Sequence, residues 1–451
     1  MILRARFVAP IDAPVLENAA VRIEDDLIAE VELSSNLSGP DTIDYGDAVI
    51  LPGFINAHTH LELGYLAGKI PTDGSLTDWL GRLMKKWVDD PPTRERVQAA
   101  VREGIAESLS HGVTAIGDIT RNPRWTREEL AAAPLRTISF GEVAAIGTRR
   151  SLLDERLDAA SEPGAPRPRP DRASPVSGAR RDFRFTSARA TGPPWSGAIS
   201  EPRAPATDTA RIGISPHSPY TLEPDGFRAC AKRADQRGLP LAIHVLESAD
   251  EDAFTRRLAG PLVDFLKGVG VWDDRIPMSD CGPIELLERT GVLGRNTLLV
   301  HVNYADDEDI ARIARSGSSV AYCPRTHAAF GHLPHRFLDM LNAGINVCIG
   351  TDSLASNPSL SVLDELRFLH GRFPEVSLST LLAMGTLRGA RALGLEMILG
   401  SIRPGKRANL TIVPLDSAGA CPAWSSILDS SSPPIEVFVG GFPRSKTTTL
   451  Q

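Results

Sequence analysis

The sequence predicts an α/β protein: a (β/α)₈ barrel of the TIM type, with a small β-sandwich built from both chain ends. Three observations carry this. Eight apolar, strand-like runs alternate with helix-like stretches between residues 52 and 403. Further strand-like runs crowd residues 1–51 and 404–451. Ionisable residues stand at the exits of several of the eight runs, where a barrel gathers its chemistry.

The elements follow in order. Ile2 to Val8, Ala19 to Ile23, Leu27 to Leu33 and Ala48 to Leu51 read as short strands, with Asp25-Asp26 as a turn signal between two of them. They are too few to close a domain alone. The tail offers partners in Asn409 to Val413 and Ile435 to Val439. The eight central runs are Gly53 to Ala57, Val113 to Ile119, Leu135 to Val143, Arg211 to Ser215, Leu239 to Val245, Thr297 to Val302, Ser319 to Cys323 and Asn346 to Gly350. Helical periodicity lies between several of them, as in Arg94 to Leu109 and Ile284 to Thr290. One stretch breaks the pattern. Residues 161–210 hold nine of the 35 prolines and eight arginines with few aliphatics, and read as a disordered or extended insertion.

Composition narrows the function classes. At 451 residues and 42% hydrophobic content, the chain can fill one large core and a smaller module. A net charge of −7 leaves no basic excess to neutralise phosphates, which argues against nucleic-acid binding. Cys230, Cys281, Cys323, Cys348 and Cys421 are scattered without a CxxC pair, so neither a disulfide framework nor a thiolate metal site is expected. No apolar run reaches membrane-spanning length, and no basic segment precedes an apolar one at the N-terminus. The expectation is a cytoplasmic protein that makes no membrane contact.

The sharpest local signal is Pro52-Gly-Phe-Ile-Asn-Ala-His-Thr-His60. Side chains alternate along a strand, so His58 and His60 point the same way, towards the mouth of a barrel. Two imidazoles so placed can hold one metal ion. Similar groups recur on schedule. His217 follows the fourth run, His244 ends the fifth with Glu247 three residues on, His301 closes the sixth, and Asp352 follows the eighth.

PGFINAHTH, HSPYT at 217–221, HVLES at 244–248, LVHVNY at 299–304, GTDS at 350–353 and GKRANLTIV at 405–413 together resemble the amidohydrolase superfamily. Within it they resemble the branch of cytosine and adenosylhomocysteine deaminases. The likeness spans nearly the whole chain outside 150–210. It implies metal ligation by His58, His60, His244 and Asp352, a donor set suited to Zn²⁺ or Fe²⁺. Two-metal members of the superfamily carry a lysine at the end of the fourth strand. Here stand only Ser215, Pro216 and His217, so one divalent ion is expected. Such an ion supplies hydroxide near neutral pH.

The resemblance assigns roles to the remaining groups. Asp352 also accepts the proton of the attacking water, His301 orients that water, and Glu247 is the proton shuttle at the ring nitrogen. His217 is a substrate contact. Glu62, just beyond His60, accepts ribose hydroxyls if its loop turns inward and is an ordinary surface carboxylate if it does not. The segment Cys323-Pro-Arg-Thr-His-Ala-Ala-Phe-Gly-His332 departs from the asparagine-containing pattern of many nucleoside deaminases. It offers Arg325 and His327 to the substrate instead, with Arg325 either pairing a carboxylate or bracing the loop. With HTHLEL and TDSLASN it resembles aminodeoxyfutalosine deaminases, which act on an adenine nucleoside bearing an aromatic carboxylate. The expected function is therefore hydrolytic deamination of an aminopurine nucleoside or related amino-heterocycle, by an enzyme that the resemblance makes a homodimer. Competing readings are chlorohydrolysis or cyclic-amide hydrolysis on the same site, a non-catalytic metal-binding scaffold, and a partner-binding role for residues 161–210.

Overall fold

The computed structural model describes residues 1–163, 211–415 and 424–444. Most of the segment expected as an insertion, and Cys421, therefore lie outside the described residues. The chain opens with β1 (Ile2–Val8), β2 (Leu16–Glu24), β3 (Leu27–Leu33), β4 (Thr42–Asp44) and β5 (Ala48–Pro52). There follow β6 (Phe54–Thr59), β7 (Val113–Thr120), β8 (Arg136–Glu142), β9 (Arg211–Ser215), β10 (Leu241–Val245), β11 (Thr297–His301), β12 (Ser319–Tyr322) and β13 (Asn346–Ile349). The chain returns through β14 (Leu410–Pro414), β15 (Glu436–Val439) and β16 (Phe442–Pro443).

Strands β6 to β13 form one parallel sheet in sequence order. Each is an apolar run buried on both faces, the composition that parallel sheets under helices require. The edges meet where the amides of Thr351 and Asp352 donate to the carbonyl of His58 at 3.0 and 3.1 Å, and the Asn56 side chain grips Thr351. Closure therefore occurs at the residues the sequence singles out.

Alternation along the strands sorts their side chains. Ile55, Ala115, Ile138, Ala242, Leu298, Ala321 and Cys348 share one inner cluster. Ile243, Val245, Leu299, Val320 and Val347 face outwards, into the larger cluster that also holds helix residues such as Val97, Val101 and Ile105. Those three lie on the helix Arg94–Ser110, whose N-cap Thr93 accepts the Arg96 amide. Inward parity carries His244 to the mouth after Ala242, and Glu142 after Ile138 and Phe140. β6 departs from simple alternation, because its pairing with β7 shifts register between Asn56 and Thr59.

The eight remaining strands make the second sheet, in the order β16-β15-β14-β5-β1-β2-β3 with β4 also on β1. β14 pairs antiparallel with β5, and this pairing joins the two chain ends as the sequence suggests. The expected sandwich is realised as one continuous hydrogen-bonded sheet with its own apolar cluster of Leu3, Val21, Ile50, Leu410 and Phe438. The helix Leu153–Ser161 packs against β8 and β9. Among the described residues no helix is long and apolar enough to cross a membrane.

Candidate metal centre and its cavity

His58 ends β6, His60 lies just beyond it, His244 is on β10 and Asp352 follows β13. Ring nitrogens of the three histidines lie within 4.8 Å of one another. His60 Nε2 and His244 Nε2 are 3.1 Å apart. Asp352 Oδ1 is 3.6 Å from His58 Nε2 and 3.8 Å from His60 Nε2. Four donors from three distant parts of the chain thus face one point.

Three observations fit a cation there. Both ring nitrogens of His58 are buried and have no hydrogen-bond partner among the described residues, a costly arrangement unless something else takes up a lone pair. Burial holds the His58 and His60 imidazoles well below their ordinary pKa, with neighbouring histidines adding to it, and takes His244 to about 4. All three are neutral at physiological pH, the state a metal ligand needs. Finally, His244 Nδ1–H donates to the His217 carbonyl at 3.2 Å, which leaves its Nε2 lone pair aimed at the cluster. Asp352 is fixed in turn by Ser356, whose hydroxyl donates to Oδ2 at 2.8 Å.

Glu247 and His301 stand beside this cluster, with Glu247 Oε1 3.5 Å from His301 Nε2. Burial, with Asp352 and Glu251 nearby, raises the Glu247 pKa well above the usual carboxylate range. Burial lowers that of His301. By strand parity His301 would follow Val300 onto the outer face. It reaches the site because its backbone turns left-handed, at φ 71°, with Val302 at 56°. His335 Nε2–H donates to the His301 carbonyl at 2.9 Å and supports that turn.

His217 lines the same cavity. Its Nδ1 meets Thr221 Oγ1 at 2.7 Å, and burial beside Arg121 and Arg156 takes its pKa to about 3. Glu62 is buried at the cavity wall and accepts from the Arg121 amide, the Thr120 hydroxyl and the Asn122 amide side chain at 2.7–3.0 Å. Its carboxylate is fully oriented by the protein, and burial raises its pKa.

Two expected substrate contacts are not brought to the cavity. Arg325 sits on the short helix Pro324–Ala329, which turns it away to Ser359 Oγ at 3.0 Å and Glu365 at 3.6 Å. It braces the neighbouring helix Val362–Arg372. His327 donates from Nε2 to the Leu333 carbonyl at 2.9 Å and packs among Tyr322, His332 and His335. The helix following β12 decides both orientations, and spacing in the sequence could not.

The cavity above the histidines has about 70 Å³ of free space and adjoins a recess of about 420 Å³. Its wall includes Glu142, Arg121 and Tyr220, with Trp79, Leu80 and Leu83 of the helix Leu76–Asp89. The recess adds Trp87, Arg149 and Arg156. Arg121 stacks on the Trp87 ring at 4.2 Å and lies 3.4 Å from Glu142. Sequence reading missed these residues. Glu142 and Arg121 carry the same signal as His217, a charged side chain at the exit of a central strand. The apolar face of Leu76–Asp89 reads equally well as ordinary core packing.

Residues 49–442 match the model of the amidohydrolase family. The chain belongs to that family. It is 26% identical over 422 residues to the 5-methylthioadenosine/S-adenosylhomocysteine deaminase of Haloarcula marismortui, covering 90% of this chain and 83% of the relative. It is 29% identical over 368 residues to the aminodeoxyfutalosine deaminase of Deinococcus radiodurans, covering 77% and 74%. In fold it is similar to the zinc-complexed atrazine chlorohydrolase of Arthrobacter aurescens, with a TM-score of 0.77, 20% identity and coverage of 100% and 96%. An amidohydrolase barrel with one three-histidine cluster among the described residues is thus the frame within which the chemistry is read.

Proposed function

We propose that this amidohydrolase is a metal-dependent deaminase of an aminopurine nucleoside. The observation that carries the reading is the meeting of His58, His60, His244 and Asp352 beside the Glu247–His301 pair, at the floor of a cavity that opens to the adjoining recess. His58, His60, His244 and Asp352 would hold the ion. A divalent ion bound there supplies Lewis acidity and makes water nucleophilic near neutral pH.

The side chains account for the rest. Asp352 accepts a proton from the attacking water. Glu247, its pKa raised by burial, donates to the ring nitrogen beside the carbon under attack. His301, kept neutral, orients the water by a hydrogen bond rather than by charge. Proton return through Glu247 lets the amine leave as ammonia while the ring carbon becomes a carbonyl. Water adds and ammonia departs, so the atoms balance. His217 and Glu62 fix the heterocycle and its sugar. The relatives named as nucleoside deaminases support the substrate class, and Trp79, Leu80 and Leu83 offer an apolar lid to a flat ring.

The test is a screen for ammonia release from adenosine, methylthioadenosine, adenosylhomocysteine and aminodeoxyfutalosine, with a chlorotriazine as the competing substrate. Deamination of at least one nucleoside is expected. Glu247→Gln should keep its metal and lose about 10²- to 10⁴-fold in turnover. Chloride release without any nucleoside turnover would replace the proposal with its chlorohydrolase rival.

A further inference from the structure

We infer that Glu251 and Asn303 are positioning residues that aim Glu247, an inference resting on the reading of Glu247 as the acid–base group. Four main-chain hydrogen bonds hold the backbone around it. The Leu246 amide donates to Glu251 Oε2 at 2.8 Å, and the Glu247 amide donates to Glu251 Oε1 at 2.7 Å. The Leu246 carbonyl accepts the Asn303 amide at 2.9 Å, and the Glu247 carbonyl accepts Asn303 Nδ2–H at 3.0 Å. All four main-chain polar groups of these two residues are therefore held by two other residues. The Ser248 amide adds a third donor to Glu251, at 3.3 Å.

The grip has work to do. Leu246 has φ 51°, a left-handed conformation that leucine adopts only when its surroundings impose it. That turn takes Glu247 off the outward parity of Val245 and carries its carboxyl to His301. Glu251 is fully buried on the helix Asp250–Arg257, and Asn303 is nearly so, just past the left-handed pair His301-Val302. The exits of β10 and β11 are thus clasped to each other, with the proton shuttle on one side and its histidine neighbour on the other. Only the main chain of Glu247 is held, so its side chain stays available to the cavity.

A carboxylate suits this task because its two oxygens accept three N–H groups. A glutamine offers one oxygen and turns an NH₂ towards a donor, leaving amides unpaired. Asn303→Asp inverts the other half of the clasp by setting an oxygen against the Glu247 carbonyl. The test uses the zinc-loaded full chain and methylthioadenosine, with product measured over hours so that slow variants are readable. Glu251→Gln should lower kcat by about tenfold or more, as small misplacements of a reacting group do. Bound zinc and KM should stay within about threefold of the parent. Asn303→Asp should do the same, and it carries the test if Glu251→Gln does not fold. In a Glu247→Gln background either substitution should cost less than about twofold further, because the group being aimed is already gone. Unchanged kcat in both single variants would overturn the inference, as would losses that multiply in the double variants. Full turnover in Glu247→Gln alone would instead remove the reading of Glu247, a separate outcome.

Discussion

Gly350 is the position at which the closure of the barrel and the metal centre can be perturbed together without touching a polar group. A Cβ placed there would lie 2.8 Å from His58 Cβ, 3.0 Å from Cys323 Sγ and 3.1 Å from the His58 carbonyl oxygen. Ordinary contact begins at 3.4 Å, so the closest neighbour must move by about 0.6 Å. None of the three is the free end of a flexible side chain. Its φ lies outside the left-handed region, so alanine meets crowding and not backbone strain. Overpacking of this kind costs about 1–3 kcal/mol. The strain falls on the His58 carbonyl, which accepts the amides of Thr351 and Asp352, so His58 and Asp352 are forced apart. Gly350→Ala should therefore weaken zinc binding by about 10- to 100-fold, the usual effect of disturbing what supports a metal ligand. Competition titration against a chromophoric chelator measures the affinity, and thermal melting measures the packing cost. Parental zinc affinity and turnover in a variant that melts lower would show that the four donors do not share one ion.

Other outcomes follow from the same geometry. Chelation should abolish turnover and lower the melting temperature, with Zn²⁺ or Fe²⁺ restoring both; ligand at about 100 times its Kd adds about 2.7 kcal/mol to stability. Activity that survives exhaustive chelation would contradict the metal centre. Arg149 lines the outer recess with no ion-pair partner among the described residues, whereas Arg325 is engaged with Glu365. Arg149→Ala should raise KM for aminodeoxyfutalosine more than for methylthioadenosine, and Arg325→Ala should change neither KM while lowering the melting temperature; the opposite pattern would return Arg325 to the substrate. Glu365 is buried, and burial raises its pKa from 4.5 to about 7. A raised folded pKa means that its contribution to stability is full below 4.5 and is lost as pH rises through about 7, about 3 kcal/mol over the window. Denaturant unfolding of wild type and Glu365→Gln from pH 4.5 to 8 should diverge by that slope, and parallel curves would refute it.

What could be read without coordinates, and what could not, divides along one line. Every residue the structure gathers at the metal centre stands at or just past the end of an apolar run, and the hydrophobic pattern alone locates those ends. The exit positions of His58, His60, His244 and Asp352 were legible for that reason, as was the joining of the chain ends through β5 and β14, whereas the role of those four as ligands came from the family resemblance. Strand boundaries differ by a residue or two, as at Leu239, where β10 begins only at Leu241. The sequence left Arg325 between substrate and brace and gave His327 to the substrate, because a helix follows β12 and helical geometry sends neighbouring residues in different directions.

By itself the sequence determined which barrel strands exist, in what order, and which side chains stand at their exits, since burial and alternation are local consequences of composition. Only the tertiary structure decided which of those side chains meet. Left-handed turns at Leu246 and His301 redirect the chain just where parity would send side chains elsewhere. Such turns are unfavourable in isolation. They persist because partners far along the chain, among them Asn303 and His335, hold the backbone in place.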